Sequence, residues 1–207
     1  MINFRLYLVT NRALVPPPAT LAAVVGEACA EGVRAVQFRE KDAPDGERYA
    51  LAWEIRGLTG ELKASLFVND RADIADAVGA DGVHCPETGL PVSVARRLLP
   101  SCIIGRSVHS AESARRSAKD GADFVVFGPV FDTPSKRAFG PAQGLDALAE
   151  VARAVSVPVF AIGGVTPARA AECLERGAGG VAVMSAVMAS PNVTRTIDEF
   201  RRAMGTL

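Results

Sequence analysis

An excess of charge of either sign is missing from this sequence. Lys plus Arg and Asp plus Glu each number 23, so the formal net charge is zero. Without a basic surplus the chain offers no general footprint for nucleic acid or an anionic membrane. Arg115-Arg116 and Arg201-Arg202 read as solvated helix faces. Cysteine is sparse and poorly spaced for chemistry. Cys29, Cys85, Cys102 and Cys173 include no CxxC pair, which argues against a zinc site or a redox motif. No apolar run reaches the roughly 18 residues of a membrane span. The segment Met1-Ile2-Asn3-Phe4-Arg5 lacks the layout of a signal peptide, so a cytoplasmic location with free thiols is expected. There is no linker-like stretch, and Pro16-Pro17-Pro18 is only a short stiff loop. One domain over residues 1–207 is expected.

What is present is alternation. Short, nearly continuous apolar runs read as parallel strands buried on both faces. They are Leu6–Thr10, Ala35–Arg39, Ser65–Asn69, Gly82–His84, Ile103–Ser107, Phe124–Phe127, Pro158–Ile162 and Gly180–Met184. Amphipathic stretches between them read as helices: Thr20–Ala30, Gly46–Leu58, Arg71–Val78, Val92–Leu98, Ala111–Lys119, Leu145–Ala154, Pro167–Arg176 and Val193–Met204. Thr166-Pro167, Ser110 and Pro191-Asn192 supply helix-start signals.

A weak repeat runs through the alternation. Gly79-Ala80-Asp81-Gly82-Val83 resembles Gly121-Ala122-Asp123-Phe124-Val125. Gly177-Ala178-Gly179-Gly180-Val181 is a third copy. Each reads as a helix ended by glycine and followed by a strand. Eight such units in about 200 residues suit a (β/α)8 barrel. A doubly wound open sheet shares the alternation but would carry a glycine-rich first turn, which this chain lacks.

In such a barrel the site forms at the C-terminal ends of the strands. Polar residues gather at those places. Gln37, Arg39 and Lys41 alternate along one face, where they would converge on an anion; a solvated charge run is the plainer reading. Asn69 and Asp70 close the third strand. Asp70 reads equally as a magnesium ligand or as a cap for the helix at Arg71. His84 ends the fourth strand and reads as structural. Ser107 and His109 end the fifth. His109 is the general acid–base candidate, set against a surface or capping role. Thr133, Ser135 and Lys136 occupy the loop after strand six, and Lys136 could close over a phosphate. Gly163-Gly164 and Met184-Ser185 end strands seven and eight, the recurrent phosphate site of these barrels.

Taken in order, these segments resemble the thiamin phosphate synthase / thiazole tautomerase (TenI) family, from Tyr7-Leu8-Val9-Thr10 to Ala182-Val183-Met184-Ser185. The resemblance implies one of two activities on a thiazole phosphate. The synthase joins a pyrimidine pyrophosphate to it with Mg2+, and the tautomerase aromatises its carboxylated precursor without a cofactor. In the synthase pattern Gln37, Arg39 and Lys41 match pyrophosphate-binding positions. Asn69 and Asp70 match a pair whose aspartate is a magnesium ligand. Thr133, Ser135 and Lys136 match a Thr-x-Thr-Lys loop, and Gly164, Met184 and Ser185 match thiazole-phosphate positions.

The chain departs from that pattern after strand four. It reads His84-Cys85-Pro86-Glu87-Thr88-Gly89 where the synthase reads His-x-Gly-Gln-x-Asp, so Gly89 replaces the second magnesium ligand. Glu87 is a candidate substitute, though it falls at the glutamine position. Ile104-Gly105-Arg106-Ser107-Val108-His109-Ser110 looks like the tautomerase version, with His109 as its acid–base residue. The expected function is therefore a thiazole tautomerase. The alternatives are a thiamin phosphate synthase and a non-catalytic thiazole-phosphate-binding barrel. No nucleic-acid or membrane partner is expected, and family resemblance makes a homodimer plausible.

Overall fold

The computed structural model describes residues 2–133 and 140–205. Ser135 and Lys136 lie outside them. Eight parallel strands close into a barrel in the order β1 to β8, with β8 pairing back onto β1. They are β1 (Leu6–Val9), β2 (Ala35–Phe38), β3 (Ser65–Asn69), β4 (Gly82–Cys85), β5 (Ile103–Val108), β6 (Phe124–Phe127), β7 (Val159–Ile162) and β8 (Gly180–Val183). The helices are α1 (Leu21–Ala30), α2 (Asp45–Glu61), α3 (Ala72–Ala77), α4 (Val92–Leu98), α5 (Ala111–Lys119), α6 (Gly144–Ala154), α7 (Pro167–Glu175), α8 (Ser185–Met188) and α9 (Val193–Met204). The expected barrel is therefore what the chain forms. The sequence pattern misses α8 and a 3-10 turn at Arg12–Leu14, both too short to show a period. It also places the start of α2 one residue late and its end three residues early.

Alternation along each strand sorts residues into two cores. One parity (Leu8, Val36, Leu66, Val68, Val83, Ile104, Val125, Val181) packs outward under the helices. The other turns into the barrel. There Phe4, Tyr7, Phe67, Phe124 and Phe160 form an aromatic plug with centroid separations of 5.2 to 6.2 Å. Glycine on the neighbouring strand makes room for these rings. A Cβ at Gly82 would lie 2.6 Å from the Phe67 ring, and one at Gly105 only 2.4 Å from that of Phe124. The inward parity thus fills the barrel with rings. Nearer the strands' C-terminal ends it turns polar, at Gln37, Asn69, His84 and Ser107.

The repeated Gly-Ala-Asp motif has a structural job at the opposite face. Asp81 accepts the Leu66 N–H at 2.8 Å and the Arg56 guanidinium at 2.7 Å. Asp123 does the same for the Ile104 N–H at 2.7 Å and Arg96 at 2.6 Å. Each aspartate ties the start of its own strand to the start of the preceding one.

Candidate active site

The register sets the rim. Val9 pairs with Gln37, Asn69 with His84, Cys85 with Arg106, Val108 with Phe127 and Ile162 with Ala182. Continuing the inward parity past each strand end brings Arg39, Asn69, Ser107, His109, Gly164 and Met184 to one mouth. Lys41 follows in the same alternation but is exposed, beyond the end of β2. Thr133 is half-buried on the loop after β6.

Gln37 is buried, and its amide donates to the Tyr7 hydroxyl at 3.3 Å. It therefore forms the floor of the mouth. Arg39 is half-buried, and loss of water around its guanidinium pulls its pKa down from the usual arginine value. A desolvated cation of this kind is set to receive an anion. Its backbone is fixed by a network that sequence reading misses. The Arg39 N–H donates to the Thr10 hydroxyl at 2.9 Å, Thr10 donates to Glu40 at 2.5 Å, and Glu40 also accepts the Arg12 N–H at 2.9 Å. Glu40 is buried, which raises its pKa. Within the sequence it is hidden in a charge run.

Asp70 is exposed and has φ of +65°. It is not a helix cap: Arg71 holds the N-cap position of α3, and no side chain caps that helix. The capping reading is thus overturned, because the left-handed turn at Asp70 carries its side chain away from the helix start. Gly89 sits beside it. A Cβ built on Gly89 would come 2.5 Å from the Asp70 Oδ1. Any side chain at position 89 would therefore require the Asp70 carboxylate to shift, and glycine leaves it in place. Glu87 does not fill the gap, because its carboxylate lies 3.6 Å from His109 Nε2. Among the described residues no group of three His, Cys, Asp or Glu side chains is placed to hold a metal.

His109 follows β5 and precedes α5. A capping box between Ser110 and Ser113 starts that helix, and the Ser113 hydroxyl accepts the His109 N–H at 3.2 Å. The ring is about half exposed. Its Nδ1 lies 2.5 Å from the Gly128 carbonyl, which also accepts the Gln143 amide at 3.0 Å. A carbonyl only accepts, so Nδ1 carries the hydrogen, and Nε2 lies 3.6 Å from the Glu87 carboxylate. Gln143 is a second residue the sequence gives no sign of.

His84, as expected, is structural. It is buried, lies 2.9 Å from the Ser107 hydroxyl through Nε2, and has its pKa lowered to about 3 by burial and by Arg106 and Arg39. Ser107 is therefore committed to His84.

Loops seven and eight form a backbone cradle. Gly163 and Gly164 have φ of +97° and +64°, in the region that favours glycine. A Cβ on Gly164 would lie 2.8 Å from the Asp132 carbonyl and 2.9 Å from Phe131 Cβ. Arg169 donates to the Gly164 carbonyl at 2.8 Å and holds that turn. Ser185 and Ala186 open the short helix α8, where backbone N–H groups have no earlier carbonyl to bond.

The class of protein is thus a parallel (β/α)8 barrel, with Arg39 just past β2 and a Gly163-Gly164 turn just past β7 at the C-terminal mouth. The chain belongs to the thiamine monophosphate synthase (TMP-TENI) family, whose model matches residues 6–187. A Geobacter sulfurreducens relative, which carries the thiamine-phosphate synthase name provisionally, is 48% identical over 192 residues, 92% of this chain and 90% of its own. The thiamine-phosphate synthase of Chloroflexus aurantiacus is 40% identical, covering 97% of this chain and 93% of its own. A solved thiamine phosphate pyrophosphorylase from Pyrococcus furiosus superposes with a TM-score of 0.89 at 39% identity, over 98% of this chain and 96% of that one. These names speak for the synthase side of the family and give no support to the tautomerase branch expected from sequence.

Proposed function

We propose that this chain is a transferase that joins a hydroxymethylpyrimidine pyrophosphate to a thiazole phosphate, forming thiamin phosphate and releasing pyrophosphate. One observation carries the reading: the mouth has two anion-receiving places, on either side of β1. Arg39 supplies a desolvated cation on the β2 side, and the Gly164 and Ser185 backbone supplies a cradle on the β7–β8 side. Two anionic substrates need two such places. The full-length relatives that bear the synthase name support it.

In this reading Arg39 and Lys41 bind the pyrophosphate, Thr133 faces the same mouth, and Gly164, Met184 and Ser185 hold the thiazole phosphate. Asp70 fits a magnesium ion that arrives with the substrate, since magnesium commonly takes one or two carboxylates besides phosphate oxygens. Gly89 leaves no second carboxylate. When bound, the ion supplies neutralisation of the leaving pyrophosphate. Purified protein given both substrates and Mg2+ should form thiamin phosphate and pyrophosphate in equal amounts. Absence of both products contradicts the reading.

A second reading is favoured by His109. Its Nδ1 is fixed on the Gly128 carbonyl, which leaves Nε2 as the ring nitrogen able to take a proton. In a thiazole tautomerase, Nε2 would take the proton from the ring carbon bearing the carboxylate, and a proton would return to the exocyclic carbon. This needs neither metal nor a leaving group. His109→Gln should then lower the tautomerisation rate by about 10²-fold or more. An undiminished rate removes His109 from the chemistry.

A further inference from the structure

We infer that Arg106 is a positioning residue for Asp70, acting through the loop after β4. The inference rests on the transferase reading for its consequence at magnesium, but not for the clamp itself. Arg106 lies on β5 in the outward parity that it shares with Ile104, so its side chain leaves the barrel lumen and acts on the loop instead of on substrate. Its partner in register is Cys85, the last residue of β4, where the loop begins. The half-buried guanidinium donates to the Glu87 carbonyl at 2.7 Å and to the Leu90 carbonyl at 2.8 Å. Between them the Gly89 N–H donates to the Pro86 carbonyl at 2.8 Å and closes the turn. One planar cation therefore holds the turn at two points.

The held turn lies against Asp70. A Cβ built on Gly89 would meet the Asp70 Oδ1 at 2.5 Å and Pro86 Cδ at 2.9 Å. Asp70 is also fixed at its root, where its N–H donates to the His84 carbonyl at 2.9 Å and its φ is +65°. The carboxylate is thus anchored by its own backbone and backed by the Gly89 backbone. Groups that orient a metal ligand from behind govern metal affinity nearly as strongly as the ligand does. That orientation counts for more where Gly89 leaves a single carboxylate. Lysine cannot replace Arg106 in full, because the arginine fork meets two carbonyls at once and an ammonium acts as a point charge.

Hydrogen exchange read by mass spectrometry tests the clamp on the purified chain without any ligand. Arg106→Gln should speed amide exchange across Glu87–Leu90 by about tenfold, as expected for lost hydrogen bonds. Arg106→Lys should speed it less. In the coupling assay Arg106→Gln should raise the Mg2+ concentration for half-maximal rate by about tenfold, with a smaller effect on kcat at saturating Mg2+. Gly89→Ala keeps Arg106 but displaces the Asp70 carboxylate, so it should raise the Mg2+ requirement as well. The double variant should raise it by less than the product of the two single effects. Unchanged exchange in Arg106→Gln overturns the clamp. Faster exchange with an unchanged Mg2+ requirement overturns its action on Asp70. If the wild type makes no thiamin phosphate at any Mg2+ concentration, the transferase reading fails together with the role at magnesium, and the exchange result still decides the clamp.

Discussion

At the scale of single residues, His84 and His109 show what one strand position and one loop position do to the same side chain. His84 is enclosed by Tyr7 and Phe124 and stays neutral, with its pKa lowered to about 3. Because the folded-state pKa lies below the unfolded value near 6.5, this group's contribution to stability is present above pH 6.5. It is lost as pH falls from there toward about 3. The loss is on the order of a few kcal/mol. The urea midpoint of the wild type should fall between pH 7 and pH 4.5, and the fall should shrink in His84→Gln. Equal falls would show that His84 takes no part.

Strand parity and strand ends made legible which residues reach the mouth: Arg39, Asn69, Ser107, His109 and Gly164. They could not show commitments made across the barrel. Gln37 is held by Tyr7 and Ser107 by His84, and neither partner is near in sequence. For the same reason Asp70 read as much like a cap as like a magnesium ligand. Its backbone conformation depends on β3 and β4 meeting, where the Asp70 N–H donates to the His84 carbonyl at 2.9 Å.

At the scale of elements, the helix–turn–strand repeat proves to be a staple between neighbouring strands. Asp123→Ala would leave the Ile104 N–H without its acceptor, at a cost of about 1–3 kcal/mol. Urea denaturation should register that loss. Because Asp123 lies on the N-terminal face of the barrel, away from the mouth, KM values should not change. A changed KM with unchanged stability would contradict the assignment. Most elements were legible for the same local reasons: Val92–Leu98, Ala111–Lys119 and Val193–Met204 coincide with α4, α5 and α9. Those missed, α8 and the 3-10 turn, are stabilised by their place at the rim and have too few residues for a pattern.

At the scale of the whole molecule, the barrel divides its interior between an aromatic plug and a polar mouth, and the mouth carries Arg39 on one side of β1 and the Gly163-Gly164 turn on the other. The fold followed from eight countable units. The reaction did not, because one substitution, Gly89, and one histidine, His109, point one way while full-length likeness points the other. The direct test is incubation of the purified chain with hydroxymethylpyrimidine pyrophosphate and thiazole phosphate, with and without Mg2+, alongside the thiazole carboxylate phosphate alone. The account predicts thiamin phosphate and pyrophosphate in equal amounts, dependent on Mg2+. No thiamin phosphate, together with metal-independent aromatisation of the carboxylate phosphate, would contradict it.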